Sequence, residues 1–527
     1  MKVEEGGPGP GVRFSIFAPR SSMLGISLSG GLNLGDKKKV VVLGAGVGGL
    51  SAGYFLSKAG PYDVTVLEEA PTIGGMCASF EHEGFVLDHG AHKLYSVIPG
   101  ILEEIQKLMD GRLLQLPKKN RLYLRGHLVN YPLQLGNLAQ ALGPAVFLRL
   151  GWGYGVTFAT GLLDKRPARS YEEYIVKRFG RPAYALVFEP LADKVWGNPS
   201  ELHPEMARTR VPASGGLEVI LKLLGLKKET AETNAEFFYY PRRGFGDWPQ
   251  ALREQIEARG GRVLVNVKTC GLEQANGKIL AVRAVVGVQR STPEVHGTAG
   301  SVEGTDDDQR TVLFPCDYLI SSIPLPVLGR WIFSGTDPEF NRAVEGLQFR
   351  HLILVYLFVK RPLVLEDQWL FFPERQFVFS RIFEQKQMNP ELGPGDRTAL
   401  CCDFTCTEDS WQWKATDEEL MTKCVEGLVA GGFIEPQEVI GFLVKRRRNF
   451  YPRYDLQYAE KMQTVNHKLQ QVENLLLTGR IGMYNYNNSD HCLDMGRFIA
   501  QSLATGQAPG EVWNALERRV RNYKIVD

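Results

Sequence analysis

Val40-Val41-Val42-Leu43-Gly44-Ala45-Gly46-Val47-Gly48-Gly49-Leu50-Ser51-Ala52-Gly53-Tyr54-Phe55-Leu56 decides the fold. A β-branched apolar run passes into G-x-G-x-x-G and then into a helical pattern, the strand-turn-helix opening of a dinucleotide-binding unit. Gly44 permits the tight turn, Gly46 lets backbone approach a pyrophosphate, and Gly49 lets helix pack close on strand. The helix N-terminus then offers unpaired N–H groups and about half a positive charge to a diphosphate. A second strand, residues 64–67, delivers Glu68 at the spacing of the carboxylate that holds a ribose hydroxyl. A glycine-rich turn without function is the competing reading, and the strand before the motif and the acid after it both weigh against that reading.

Gly74-Gly75 and residues 85–92, Phe-Val-Leu-Asp-His-Gly-Ala-His, mark a second place where backbone passes close to a ligand. With these residues the chain resembles flavoproteins that bind FAD in the manner of the amine oxidases and protoporphyrinogen oxidases. The resemblance implies non-covalent FAD, not NAD, with Gly75 among the cofactor-binding residues.

The 527 residues, 44% of them hydrophobic, have room for two to four domains. A net charge of +2, from 61 basic and 59 acidic residues, gives no global field for nucleic acid or an anionic membrane. Phosphate binding must then be local. Eight cysteines form neither a disulfide framework nor a C-x-x-C metal set, so packing thiols in a reduced, cytoplasmic setting are expected. Residues 1–36, rich in Gly, Pro and Ser, read as a flexible leader without a secretion signal. Residues 143–163 are the most apolar stretch, but Arg149 and four glycines interrupt them. Helices of a substrate domain are expected there, with membrane contact the less favoured alternative.

Along the chain, residues 121–132 read as a hairpin turning at Arg125-Gly126-His127. Ser170 and Glu173 have capping-box spacing ahead of a helix. Residues 262–267 return the chain to α/β alternation, with Thr269 just beyond placed among the cofactor-binding residues. Residues 318–323 form a buried strand stopped by Pro324. Residues 351–359, 377–383 and 399–405 are β-rich, and the basic run 445–448 reads as a solvated strand edge. Finally, residues 474–478 end in Gly479-Arg480, and an aromatic loop leads to a helix that starts near Asp490. The expected fold is therefore α/β: a discontinuous Rossmann-like FAD-binding domain (37–100, 236–330, 466–520) with an inserted mixed α+β substrate domain (101–235 and 331–465).

Several distant motifs together resemble UDP-galactopyranose mutase and its relatives among these flavoproteins. Lys194-x-Trp196-Gly197 with Arg210 looks like the mutase pattern without a gap, and Ser380-Arg381-Ile382-Phe383-Glu384 resembles another mutase segment. Tyr451-Pro452, Gly479-Arg480 with Tyr486 and Asp490, and Gly90-Ala91-His92 carry the rest of the likeness. The resemblance implies that Trp196, Arg210, Arg381, Tyr451 and Tyr486 bind a nucleotide sugar. It also implies that Gly479, Arg480 and Asp490 hold flavin and phosphate, and that His92 and Arg381 stand at the reacting centre. In such an enzyme reduced flavin N5 acts on the anomeric carbon, pyranose and furanose interconvert, and NAD(P)H or another reductant maintains the flavin. Tyr95 and Asn487 depart from the pattern, since the mutases carry a second histidine and a second tyrosine there. The rival reading is an FAD-dependent oxidase or desaturase acting on an apolar substrate, whose pocket needs no arginine clamp.

Overall fold

The computed structural model describes residues 37–130, 135–209, 236–287, 310–333 and 336–525, without the side chains of 135–138, 162 and 163. The expected leader, residues 288–309 and Arg210 lie outside the described residues.

Lys38–Leu43 sits at the centre of a five-stranded, wholly parallel sheet in the order Leu475–Leu477, Tyr318–Ser321, Lys38–Leu43, Tyr62–Leu67, Arg262–Leu264. Its strands read as continuous Val, Leu and Ile runs because helices cover both faces. The glycine-rich helix Val47–Ala59 packs against Ser489–Ala504 so closely that a Cβ on Gly496 would lie 2.5 Å from the Ser51 backbone. Thus residues 37–67, 262–264, 318–321 and 475–477 build one layer from distant parts of the chain, as α/β alternation requires.

The second layer is a seven-stranded mixed sheet in the order Val439–Arg453, Gln348–Val359, Thr398–Cys406, Arg381–Glu384, Trp369–Phe371, Asn120–Leu124, His127–Asn130. Period-two alternation divides it between two cores. Leu352, Leu354, Tyr356 and Phe358 join the main core toward the nucleotide sheet. Ile353, Val355, Leu357 and Val359 pack with Leu420, Cys424 and Leu428 of the helix Asp417–Ala430 on the far side. Adjacent Cys401 and Cys402 accordingly fall in different cores, and every cysteine except Cys270 is buried.

Local expectations are refined in four places. The hairpin turn is the two-residue Arg125-Gly126, both at positive φ, and His127 pairs with Leu124 as the first residue of the return strand. Ser170 caps its helix by accepting from the Glu173 backbone N–H at 3.2 Å. The region 377–383 is strand only over Arg381–Glu384. The loop leading into it is held instead by the half-buried Lys194 ammonium, which donates to the carbonyls of Phe372, Glu374 and Phe379 at 2.7, 2.6 and 3.0 Å. Burial lowers that lysine to about 7. Finally, the interrupted stretch 143–163 is one continuous helix, Pro144–Leu163.

Candidate active site

A cleft of about 660 Å³ runs between the two sheets. Its floor is the glycine turn. Gly44 adopts φ +88°, a left-handed conformation that only glycine enters freely. Gly46 and Gly48 line the cleft, and a Cβ on Gly48 would lie 2.7 Å from the Gly479 Cα. Gly49 does not line it; it lets helix and turn meet, since a Cβ there would be 2.0 Å from the Gly44 carbonyl oxygen. Two helix N-termini, at Val47 and Ser489, open on this floor, and together they favour an anion.

Glu68 lines the cleft with its carboxylate fixed by two backbone donors, Ala45 N–H at 2.7 Å and Ala70 N–H at 2.9 Å. Burial raises its pKa and these donors oppose the rise. Gly75, Thr269, Gly479 and Arg480 line the same cleft. Asp490 does not. It lies buried in the first turn of Ser489–Ala504, where Asn488 and His491 form the capping box, while Asn487, Asn488 and Ser489 face the cleft.

His92 reaches the cleft from the segment that follows Asp88, a buried carboxylate accepting from Ser79 Oγ, the Phe245 N–H and Tyr240 Oη. The His92 ring stacks on Phe245 with centroids 4.7 Å apart. Burial, with the Arg381 and Arg480 charges, lowers its pKa to about 3. Depressed below the ordinary 6.5, it stays neutral from pH 5 to 8. The flavin absorbance of the holoprotein should therefore show no inflection near pH 6.5 assignable to His92. Such an inflection, abolished by His92→Asn, would contradict this placement.

The opposite wall comes from one face of the seven-stranded sheet. Asn120, Trp369, Phe371 and Arg381 are cross-strand neighbours, and all four line the cleft. Arg381 Nε donates to Asp403 Oδ2 at 2.8 Å, so its charge is shared with a buried carboxylate. Burial raises the Asp403 pKa and Arg381 opposes the rise. Arg480 differs: its Nε donates to the Asn487 carbonyl at 2.8 Å, and no carboxylate among the described residues pairs with it. Its guanidinium carbon lies 5.2 and 5.3 Å from the Tyr451 and Tyr486 rings, which stack 5.2 Å apart at 7°. Trp196 meets Tyr486 edge-on at 6.2 Å. The structure thus joins Trp196, Tyr451, Tyr486 and Arg480 in one array, but only Tyr451 and Arg480 reach the cleft, with Trp196 and Tyr486 buried behind them.

Two contributors, Asn120 and Asp403, had not been singled out from sequence. Asn120 is buried with its Oδ1 unpartnered against the cleft, and Asn487 likewise leaves Nδ2 unpartnered. Nothing in the hairpin pattern marks Asn120. Asp403, by contrast, is a lone acid in the apolar strand Thr398–Cys406, and that is a readable sign of a buried cation beside it.

A parallel nucleotide sheet, a two-helix anion floor and a second sheet closing the cleft define a flavin-binding α/β protein with an added substrate layer. The glycine cradle and the unpartnered Asn487 amide suit a dinucleotide seated there. The sequence matches the flavin-containing amine oxidoreductases over residues 47–486, and the chain belongs to that family. It is accordingly an FAD-dependent enzyme that holds its flavin without a covalent bond. The fold is similar to that of reduced UDP-galactopyranose mutase, with a TM-score of 0.74 at 20% identity over 93% of this chain and 98% of that one. It is also similar to a candidate protoporphyrinogen oxidase from an Exiguobacterium species, with a TM-score of 0.63 at 18% identity over 89% and 99%. Among curated proteins, phytoene desaturase from Fusarium fujikuroi is 42% identical over 69 residues, 13% of this chain and only 12% of that protein. All-trans-retinol 13,14-reductase from Macaca fascicularis is 36% identical over 84 residues, 16% of this chain and 14% of that protein. No described helix is long and apolar enough to cross a membrane.

Proposed function

We propose that the enzyme acts on a nucleotide sugar in a redox-neutral, mutase-like reaction. The observation that carries this reading is the Tyr451–Tyr486 stack beneath Arg480, a cation at the cleft with no carboxylate partner among the described residues. Arginine presents a fork of donors that stays charged, and a phenol adds a neutral donor at small entropic cost, which together suit a diphosphate. Reduced FAD, when bound, supplies the electron pair for chemistry at the anomeric carbon. The residues around it orient the sugar. Arg480 and Tyr451 hold the diphosphate, the Asn120 carbonyl oxygen accepts from a sugar hydroxyl, and Trp369 with Phe371 excludes water. Neutral His92 adds no charge beside the flavin. Arg381, tied to Asp403, acts as a positioned donor more than as a free charge. The expected diphosphate role of Arg210, which lies outside the described residues, is part of this proposal, and NAD(P)H or another reductant would maintain the flavin.

The second reading, an oxidase or desaturase of an apolar substrate, is favoured by the Arg381–Asp403 pair and by Val327, Trp331, Trp369 and Phe371 in the cleft wall. One anaerobic assay separates the two. Dithionite-reduced enzyme should convert UDP-galactofuranose to UDP-galactopyranose without net flavin oxidation. Absence of conversion, with flavin that under the same anaerobic conditions passes electrons from a polyene or amine to a quinone, would favour the second reading.

A further inference from the structure

The helix Pro144–Leu163 takes no part in the site, yet its sequence and surface are unlike those of the other described helices. Its inner side rests on the edge hairpin, where Val146 and Leu150 pack with Leu124, Val129 and Leu142. It also rests on the helix Tyr171–Ala183, with Gly153 so close to Pro182 that a Cβ there would lie 2.5 Å from the proline ring. The outer side carries the two most exposed large apolar side chains of the described residues, Trp152 at 78% and Leu148 at 71%. Phe158 and Val156 continue the face, and Gly151, Gly155 and Ala159 fill the spaces between them.

Among exposed residues from 144 to 161 only Arg149 and Thr160 are polar, and the Thr160 hydroxyl turns inward to donate to the Val156 carbonyl at 3.0 Å. A water-facing helix of this composition has no reason to keep that face unless something covers it. The flank supplies the complementary sign. Lys165, Arg166 and Arg169 follow the helix end and are all exposed. Of the acids beside them, Asp164 is engaged by Arg166 at 2.8 Å and Lys177 at 3.1 Å, and the Glu173 carboxylate accepts from the Arg169 backbone N–H at 2.9 Å.

We propose that this helix and its basic flank form a docking surface for an anionic phospholipid bilayer, with the helix lying in the interfacial plane. An apolar stripe bearing an exposed tryptophan enters the headgroup boundary, while Arg149 and the Lys165–Arg169 segment meet lipid phosphates. The absence of a span-length apolar helix among the described residues fits a helix that lies on a membrane and does not cross it. Charge complementarity selects lipid over a second copy of the chain, since the acids beside the face, Asp164 and Glu173, are already engaged and are outnumbered by Arg149, Lys165, Arg166 and Arg169. The surface is independent of which substrate occupies the cleft.

Flotation of the full-length holoprotein tests it, using vesicles of phosphatidylcholine alone and of phosphatidylcholine with phosphatidylglycerol. The protein should float with the anionic vesicles and much less with the neutral ones. Trp152→Glu should lower the bound fraction by roughly tenfold, and reversing Lys165 and Arg166 to glutamate should abolish the lipid selectivity. The flavin absorbance per chain of both variants should match the wild type and so report an intact fold. The proposal is overturned if the holoprotein stays unbound to either vesicle, if Trp152→Glu floats like the wild type, or if light scattering shows a dimer that Trp152→Glu dissociates without any lipid binding.

Discussion

Gly49→Ala is expected to yield a folded chain almost without flavin. The added Cβ would lie 2.0 Å from the Gly44 carbonyl oxygen and 3.0 Å from Ser322 Oγ. The first neighbour is backbone and cannot rotate away. Ser322 is also committed, since its hydroxyl donates to the Leu43 carbonyl at 2.8 Å. Relief therefore requires the helix Val47–Ala59 to move off the strand Lys38–Leu43. Overpacking of this kind costs roughly 1–3 kcal/mol, and here the cost falls on the turn that faces the pyrophosphate. Each 1.4 kcal/mol is about tenfold in affinity, so FAD should bind about ten- to a hundredfold more weakly. Absorbance of the purified variant before and after added FAD measures it. Full flavin occupancy at wild-type affinity would show that the helix is not seated as described.

The Arg381–Asp403 pair supports the second large effect, which is asymmetric. Asp403→Ala removes a carboxylate whose side chain is only 4% exposed and leaves a guanidinium, 18% exposed, that cannot surrender its proton. Breaking such a pair from the acidic side costs about 3–5 kcal/mol. Arg381→Ala should cost less, because burial already raises the Asp403 pKa and the orphaned carboxyl can neutralise itself by binding a proton. Urea unfolding of the two holoproteins at neutral pH should place Asp403→Ala clearly below Arg381→Ala. Equal losses, or the reverse order, would mean that the pair is solvated and the cleft wall more open than described.

The nucleotide half of the molecule was legible because its physics is local. A β-branched run, a glycine turn and an acid at fixed spacing leave few alternatives: Gly44, Gly46 and Glu68 face the cleft, as does Gly75, which the family resemblance had implied. The far wall was legible only in part. Arg381 and Tyr451 lie at the cleft, but their neighbours come from strands paired across the chain, and no local pattern announces that Asn120 will sit beside Trp369. Depth was the hardest quantity to read. Trp196 and Tyr486 adjoin the site and yet are sealed behind Tyr451, because in a three-ring array only the outermost member meets the ligand. Lys194 illustrates the same limit. Its motif is visible, but its task of tying three loop carbonyls depends on tertiary contacts.

The central claim is that a nucleoside diphosphate binds against Arg480 and Tyr451, within sight of the flavin. Titration of UDP into the holoprotein, read as a flavin difference spectrum, tests it most directly. A saturable change is expected, with Tyr451→Phe raising the dissociation constant about tenfold at unchanged flavin content, the loss of one hydrogen bond to a charged group. A flavin spectrum that UDP leaves unaltered up to millimolar concentration would contradict it.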